Sequence, residues 1–251
     1  MAGHKAARDF AARLQVIPKK EDRALVHLSA AEADRIRLLL REDAKDYYFS
    51  GLLSFIEALR GPQCGLYSWA TVKLYYSVFY TLRAILALRG IAIFYLGSTP
   101  WWIRAAQGDT AQHTRGNTHS VVLQSFEELF PRHLLTQNIG ADNASAWLID
   151  RREDANYKLG RFLEPAVPPH FESVVNMGIR KAIQMYLHRD NELLAFDPSH
   201  AMIAYPLLAL NHAKKEFATL GMDCLTKDER TTLSPHCKDD LGPLADLIRF
   251  L

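Results

Sequence analysis

The segment Thr71–Gly90 constrains the fold more than any other part of this sequence. It reads "TVKLYYSVFYTLRAILALRG", which is apolar along most of its length and rich in aromatic side chains. Charges interrupt it at Lys73, Arg83 and Arg89, and the apolar runs between them are too short to cross about 30 Å of hydrocarbon. We therefore expect a helix buried on nearly all sides in a helical bundle, and no membrane-spanning segment.

Small side chains recur within this predicted helix, which we place at Leu66–Arg89 with a stop at Gly90. Ala70, Ser77 and Ala84 are seven residues apart and would form a groove that lets a neighbouring helix approach closely. On one flank we expect four larger residues to fill the core: Trp69, Val72, Tyr76 and Phe79.

Helical periodicity dominates the rest of the chain, so the predicted fold class is all-α. Candidate helix caps are Ser29, either Asn143 or Ser145, and Thr226 with Glu229 as a capping box. Long helices are expected near Glu172–Leu194 and Ala201–Leu220. The segment "IAIFYLGSTPWW" is β-branched and aromatic and predicts a short extended segment or hairpin.

Composition narrows the function classes. The chain has 251 residues and a formal net charge of +2, which gives no global attraction to nucleic acid. The three cysteines are unclustered, and no apolar signal segment begins the chain, so we expect a cytoplasmic protein. No phosphate-cradling glycine loop, dinucleotide fingerprint or metal-ligand spacing occurs, and we expect no metal and no cofactor.

The first candidate site is "RGNTHS", where a polar loop meets a helix. If Asn117 or Thr118 caps that helix, His119 lies in its first turn, where backbone N–H groups favour a phosphate. His119 would then move protons during RNA cleavage while Arg115 holds the charge that builds on phosphorus. The alternative interpretation is a histidine that caps the helix or packs half-buried.

The second candidate is "RREDANYKLGR", and the third is an aromatic pair. Arg152, Lys158 and Arg161 could receive a polynucleotide backbone, or the segment could be a solvated face with ion pairs such as Asp154 with Lys158. Trp101 and Trp102, with Arg104 nearby, could stack on unpaired bases, or could fill the core or a dimer contact. The residues concerned in these two candidates are Arg104, Arg152, Lys158 and Arg161 for phosphate, and Trp101, Trp102 and Tyr157 for stacking or an interface.

Three pieces of the sequence together resemble the HEPN superfamily of prokaryotic toxin–antitoxin and antiphage proteins. "ATVKLYYSVFYTLRAILALRG" resembles its helix of paired aromatics and small residues, and "THSVVLQSF" is similar to its His-containing helix start. "RREDANYKL" is similar to its R-x-x-A-D-Y segment through Arg152, Ala155 and Tyr157, with Asn156 in place of the acid. The resemblance covers about Asp43 to Asp190.

The resemblance implies an antiparallel four- or five-helix bundle that often forms a two-fold dimer. We accordingly expect an N-terminal helical extension (1–42), the bundle (43–192) and a C-terminal helical extension (193–251). Active members carry an Arg, four to six residues, then His at the dimer cleft as a metal-independent RNase site. Here three residues separate Arg115 from His119, one fewer than that range.

Three functions stay open from the sequence. The chain is a metal-independent endoribonuclease of a toxin–antitoxin or antiviral defence system, with RNA as its partner and a homodimer as its form. Alternatively, it is an inactive HEPN-like subunit that binds a partner protein or RNA in a hetero-complex with a co-encoded protein. The third function is a nucleotide or small-ligand sensor, with Arg152 and Lys158 near the phosphates.

Overall fold

The protein is mostly helical in a computed structural model that describes residues 4–17, 22, 26–116, 118–158, 160–188, 192–238 and 243–250. The α-helices of this described part are Lys5–Gln15, Ala30–Ala58, Arg60–Gln63, Ser68–Leu88, Thr118–Leu129, Ala144–Glu153, Pro169–Met177, Ile179–His188, Glu192–Ala195, Ala201–Thr219 and Lys227–Leu233. A π-helical turn spans Asp154–Lys158, and 3₁₀ turns span Leu134–Thr136, Ser234–Cys237 and Pro243–Phe250. Within the described residues, every helix is too short or too polar to span a bilayer.

A small antiparallel sheet corrects the all-α expectation. Its strands are Ile91–Leu96, Thr99–Arg104 and Gln112–His113, in that spatial order. The first two form the predicted hairpin, with Ile91 opposite Arg104. Gly97 opens its two-residue turn at φ 63°, a conformation that hairpin turns of this length require and that glycine adopts without strain.

The chain divides into two compact units that alternate along the sequence. The first comprises Met1–Tyr47 and Leu82–Leu129, and the second comprises Tyr48–Thr81 and Phe130–Leu251. The helices Ala30–Ala58 and Ser68–Leu88 each contribute residues to both units. The three-part division expected from the sequence stays a prediction.

In the first unit, the N-terminal helix Lys5–Gln15 packs against the first strand of the sheet. The Phe10 ring meets the Phe94 ring edge-on, with centroids 5.2 Å apart. The buried Asp43 carboxylate accepts the backbone N–H groups of Lys5 and Ala6 at 2.7 and 3.0 Å, so it satisfies two of the unpaired donors at the start of that helix. One long-range carboxylate thus fixes where the N-terminal helix begins.

In the second unit, two helices approach closely at Gly51. A Cβ atom added there would lie 2.6 Å from Thr81 Oγ1 and 3.2 Å from the Ser77 carbonyl oxygen. Ser77 and Ala70 of this unit are buried, which agrees with the predicted groove of small residues, and Ala84 is buried in the first unit. We call Ser68–Leu88 the aromatic helix. Val72 and Phe79 of its predicted core flank are buried, and Tyr76 is half-buried. Trp69 is 56% exposed, so the prediction is wrong for that residue.

The predicted helix caps at Asn143 and Thr226 are confirmed. The Asn143 carboxamide oxygen accepts from the backbone N–H groups of Ser145 and Ala146 at the start of Ala144–Glu153. Thr226 and Glu229 form the predicted capping box. The expected long helix near Glu172–Leu194 is wrong in its continuity, since Gly178 breaks it at φ 90° between Pro169–Met177 and Ile179–His188.

Candidate functional site

The predicted junction of polar loop and helix is present in the first unit. The helix begins at Thr118, so His119 is its second residue and occupies the first turn. Asn117 lies outside the described residues, and so do the side chains of Thr118 and His119. The expectation for the backbone at His119 is therefore met, and the role of its imidazole stays a prediction.

Arg115 is exposed and directly precedes a glycine held against the first turn of this helix. Gly116 has φ 123°, and a Cβ atom at that position would lie 2.6 Å from the Ser120 Oγ atom. Such a close approach places the Arg115 backbone beside the helix N-terminus. The first turn contains no acidic residue that would oppose an anion there. Arg115 thus leaves the loop at the positive end of the twelve-residue helix Thr118–Leu129.

The basic segment of the second unit is internally neutralised. Lys158 Nζ lies 2.5 Å from an Asp150 carboxylate oxygen and 2.9 Å from an Asp154 oxygen. Arg151 donates to Asp150 and lies 3.3 Å from the Asp154 carboxylate. Hydrogen bonds lower the pKa of Asp150, and the bond from Lys158 contributes more than the bond from Arg151. The ion pair expected between Asp154 and Lys158 is confirmed, and it belongs to a network of two cations and two anions.

The other predicted phosphate ligands belong to two different units. In the second unit, the Arg152 guanidinium lies over the Tyr75 ring, 5.2 Å from its centroid, and Arg161 is exposed. In the first unit, Arg104 is exposed and lies 3.9 Å from the Asp109 carboxylate. The Tyr157 side chain lies outside the described residues.

The exposed tryptophan is a different one from those predicted. Trp101 lies in the second strand and is only 3% exposed, and its ring meets His113 edge-on with centroids 5.3 Å apart. This agrees with the packing interpretation, and the expectation of an exposed stacking ring is wrong for Trp101. Trp102 is half-buried in the same strand. In the second unit, Trp69 and Phe162 are exposed and touch each other edge-on, with centroids 6.1 Å apart.

A cavity that the sequence interpretation missed lies wholly in the second unit, and we call it the His170 cleft. It has a volume of about 180 Å³. Three segments meet there: the start of the aromatic helix, the junction of Ala144–Glu153 with the π-helical turn, and the loop that leads into Pro169–Met177. The lining residues are Tyr67, Ser68, Thr71, Arg151, Asp154, Ala155, Leu163, Glu164, Ala166, Pro168, Pro169 and His170.

His170 supplies a neutral imidazole to this cleft. Its Nε2 atom lies 3.1 Å from Thr71 Oγ1, and the Thr71 hydroxyl donates to the Tyr67 carbonyl at 3.0 Å. Burial lowers the pKa of His170 to about 4, assisted by the nearby Arg151 charge and opposed by that of Asp154. Because the single hydroxyl proton goes to Tyr67, we assign Nε2 as the protonated nitrogen, which leaves Nδ1 as an acceptor.

Glu164 supplies the only carboxylate of the described lining without a cation beside it. Its Oε1 atom accepts the Ser68 backbone N–H at 2.6 Å, at the first residue of the aromatic helix. Burial raises the pKa of Glu164, but hydrogen bonds from Ser68 and from the backbone of Glu164 and Tyr67 together outweigh that effect, and the net pKa is lowered. Its Oε2 atom is buried and has no hydrogen-bond partner among the described residues.

The signal for this cleft in the sequence was the segment "EPAVPPH", which predicts a linker by its prolines. A carboxylate and an imidazole at the two ends of a proline-fixed loop were its only local indication. Their partners, Ser68 and Thr71, are about a hundred residues away in the chain. Within the described part of the chain, no group of three His, Cys, Asp or Glu side chains is placed to hold a metal ion.

Comparisons of the chain with models of protein families, with curated proteins and with solved structures give no match.

Proposed function

We propose that this chain is an HEPN-like endoribonuclease that cleaves RNA without a metal ion, at the junction of Arg115 with the helix Thr118–Leu129. The observation that carries the proposal is the exposed Arg115 beside a helix N-terminus whose first turn is free of acidic residues. Such an arrangement attracts a phosphate through backbone N–H groups and a guanidinium together. The resemblance to HEPN proteins adds the expectation of a homodimer in a defence or toxin–antitoxin system.

Charge pairing favours this junction over the other predicted RNA contact. Binding of a polyanion gains free energy from cations that can replace counterions. Lys158 is held by two carboxylates, which the arrival of a phosphate would have to displace. Arg115 is exposed in a loop with no such network described around it. RNA affinity should therefore depend on Arg115 more than on Lys158.

The reaction expected at the junction is an intramolecular transesterification that cleaves one phosphodiester bond of the RNA. The 2′-hydroxyl attacks the adjacent phosphorus, the bond to the 5′-oxygen breaks, and a 2′,3′-cyclic phosphate and a free 5′-hydroxyl result. In this proposal His119 moves a proton from the attacking oxygen or to the leaving one, and Arg115 stabilises charge on the non-bridging oxygens. A metal ion is not needed for either role.

The test compares cleavage of a labelled single-stranded RNA in EDTA by the wild type and by His119→Ala and Arg115→Ala. We expect each variant to lose at least about a hundredfold in rate, the range typical of acid–base and charge-stabilising groups. Matched controls are His188→Ala and Arg132→Ala, which remove the same groups from exposed positions. Cleavage by His119→Ala at the wild-type rate would refute the proposal.

A second candidate is an HEPN-like subunit without catalytic activity, and exposed apolar residues in the second unit favour it. Large apolar side chains are exposed at four positions of this unit: Leu66, Trp69, Phe162 and Leu163. Two of them are aromatic, and exposed aromatic side chains are typical of protein interfaces. The partner that we propose is a second copy of the chain. Sedimentation of the wild type should show a dimer that Trp69→Ser weakens, whereas a monomer at all concentrations would exclude this partner.

A further inference from the structure

We infer that the His170 cleft binds a small organic cation, an ammonium group on a compact apolar body. The inference is independent of the proposed RNA cleavage, because it concerns different residues in the other unit. It depends on three observations: the sign of the charge left in the cleft, the hydrogen-bonding atoms left open there, and the shape of its walls.

The charge left in the cleft is negative. Arg151 is balanced by Asp150 and Asp154, so it adds no net positive charge to the lining. Glu164 has no such balance, because the hydrogen bonds that lower its pKa come from backbone amides and the Ser68 hydroxyl. The start of the aromatic helix stabilises the ionised Glu164 carboxylate through Oε1, and the Oε2 atom that it leaves open can form an ion pair with a bound cation. The Glu164 carboxylate would repel an anionic ligand.

The open hydrogen-bonding atoms are mainly acceptors. Glu164 Oε2 is buried and lacks a partner among the described residues, although its sister oxygen is fixed by Ser68. The described hydrogen bond of the His170 ring uses Nε2, so Nδ1 is the acceptor that remains. An ammonium group carries three donors and no acceptor, which matches this set. The Arg151 Nε atom, buried and also without a described partner, is the one donor that such a ligand would leave unused.

The walls suit an apolar body of limited size. Tyr67, Leu163 and two consecutive prolines, Pro168 and Pro169, contribute apolar surface to the lining. The volume of about 180 Å³ is below the roughly 300–1,000 Å³ of pockets for drug-sized ligands. The cleft therefore fits one ring or a short alkyl chain. The prolines of the loop from Glu164 to His170 restrict its backbone, and the hydrogen bond of Glu164 to Ser68 holds one end of it. The cleft is therefore preformed without a ligand.

The experiment measures binding of benzylammonium to the full-length protein by calorimetry at pH 7, with benzyl alcohol and benzoate as ligands of similar shape. We expect benzylammonium to bind at least tenfold more tightly than benzyl alcohol, and benzoate to show no binding. Equal affinity for all three, or tighter binding of benzoate, would overturn the inference. So would the absence of any heat from benzylammonium at millimolar concentration.

Two variants localise the binding to this cleft. Glu164→Gln keeps an oxygen that can accept from Ser68 and removes the charge, and it should weaken benzylammonium binding at least tenfold. Glu172→Gln makes the same change at an exposed position and should leave the affinity unchanged. Ala166→Phe adds bulk at an exposed residue of the lining and replaces no charged group, so it tests the site even if Glu164→Gln fails to fold. Unchanged affinity in Ala166→Phe would place the binding elsewhere and end the inference.

Discussion

The Nε2 atom of His170 lies 3.1 Å from the hydroxyl oxygen of Thr71, 99 positions earlier in the chain. This contact joins the first turns of two helices, Ser68–Leu88 and Pro169–Met177. It is made by a neutral imidazole, since burial and the Arg151 charge hold the pKa of His170 near 4. The folded state of the second unit therefore depends on a histidine that stays unprotonated.

Acidification should destabilise the protein through His170. Its pKa falls from the ordinary 6.5 to about 4 on folding, so between these values the unfolded chain binds a proton that the folded chain does not. The stabilisation is present above pH 6.5 and is lost as the pH falls to about 4. At about 1.4 kcal/mol per pKa unit it amounts to at most roughly 3.5 kcal/mol. Urea unfolding at pH 7, 6, 5 and 4 measures it.

The control for this pH dependence is a histidine variant at an exposed position. His170→Gln should have a shallower decrease in unfolding free energy between pH 6.5 and 4 than the wild type. His188→Gln, which changes an exposed histidine of Ile179–His188, should follow the wild-type curve. The half-buried His4 also has a lowered pKa, but it is present in all three proteins and cancels in the differences. Parallel curves for His170→Gln and the wild type would contradict the assignment.

The close approach at Gly51 predicts a destabilising Gly51→Ala substitution. An added methyl would lie 2.6 Å from Thr81 Oγ1, so the two helices must separate or distort, at a cost of about 1–3 kcal/mol. Alanine gains up to about 1 kcal/mol in helix propensity, which offsets part of this cost. We expect a net loss in the free energy of unfolding, measured in urea.

Gly160→Ala is the matched control for that substitution. A methyl at Gly160 meets nothing within 4 Å, and the position belongs to the same unit. It should change the free energy of unfolding by less than about 0.5 kcal/mol, as is usual for surface substitutions. If Gly51→Ala were as stable as Gly160→Ala, the helices would not be in the contact described.

Local features of this fold were predictable from the sequence, and long-range ones were not. The helix near Leu66–Arg89, the groove at Ser77 and the hairpin around Gly97 follow from periodicity and turn chemistry, which act over a few residues. The Glu164 cap on Ser68 joins residues 96 apart, and no periodic pattern records such a pair. Trp69 shows the limit of periodicity, because it shares a helical stripe with the buried Val72 and Phe79 but is 56% exposed. A stripe does not record which of its positions a neighbouring element covers.

The same limit applies to the candidate sites. The sequence predicted that a helix would start beside His119, and it does, because the helix signal is local. The charge of Lys158 suggested a phosphate contact, but Lys158 belongs to an ion-pair network with Asp150 and Asp154, which are close to it in the sequence. The His170 cleft escaped detection because its two key side chains flank a loop that composition alone assigns to a linker.

The capping box at Thr226 should contribute measurably to the second unit. Its Oγ1 atom accepts the Glu229 backbone N–H at 3.2 Å, and the Glu229 carboxylate accepts the Thr226 backbone N–H at 2.6 Å. Thr226→Ala removes the first of these bonds and should lower the free energy of unfolding by about 1 kcal/mol. Thr226→Ser should restore it.

Thr231→Ala provides the control for the capping box. Thr231 is an exposed residue of the same helix, and its hydroxyl donates to a carbonyl four residues earlier. Removing that hydroxyl leaves the helix start intact, so the free energy of unfolding should change by less than about 0.5 kcal/mol. Equal losses in the Thr226 and Thr231 variants would show that the cap is not specific.

The positions of the four tryptophans predict how acrylamide quenches the fluorescence of the protein. Trp69 is 56% exposed, whereas Trp101 and Trp147 are buried. A quencher that requires collision should therefore reach Trp69 first, and Trp69→Phe should remove most of the readily quenched emission. Trp101→Phe should reduce the emission that resists quenching and leave the accessible part. The opposite result would mean that the hairpin presents Trp101 to solvent, and base stacking by that ring would then be restored as a hypothesis.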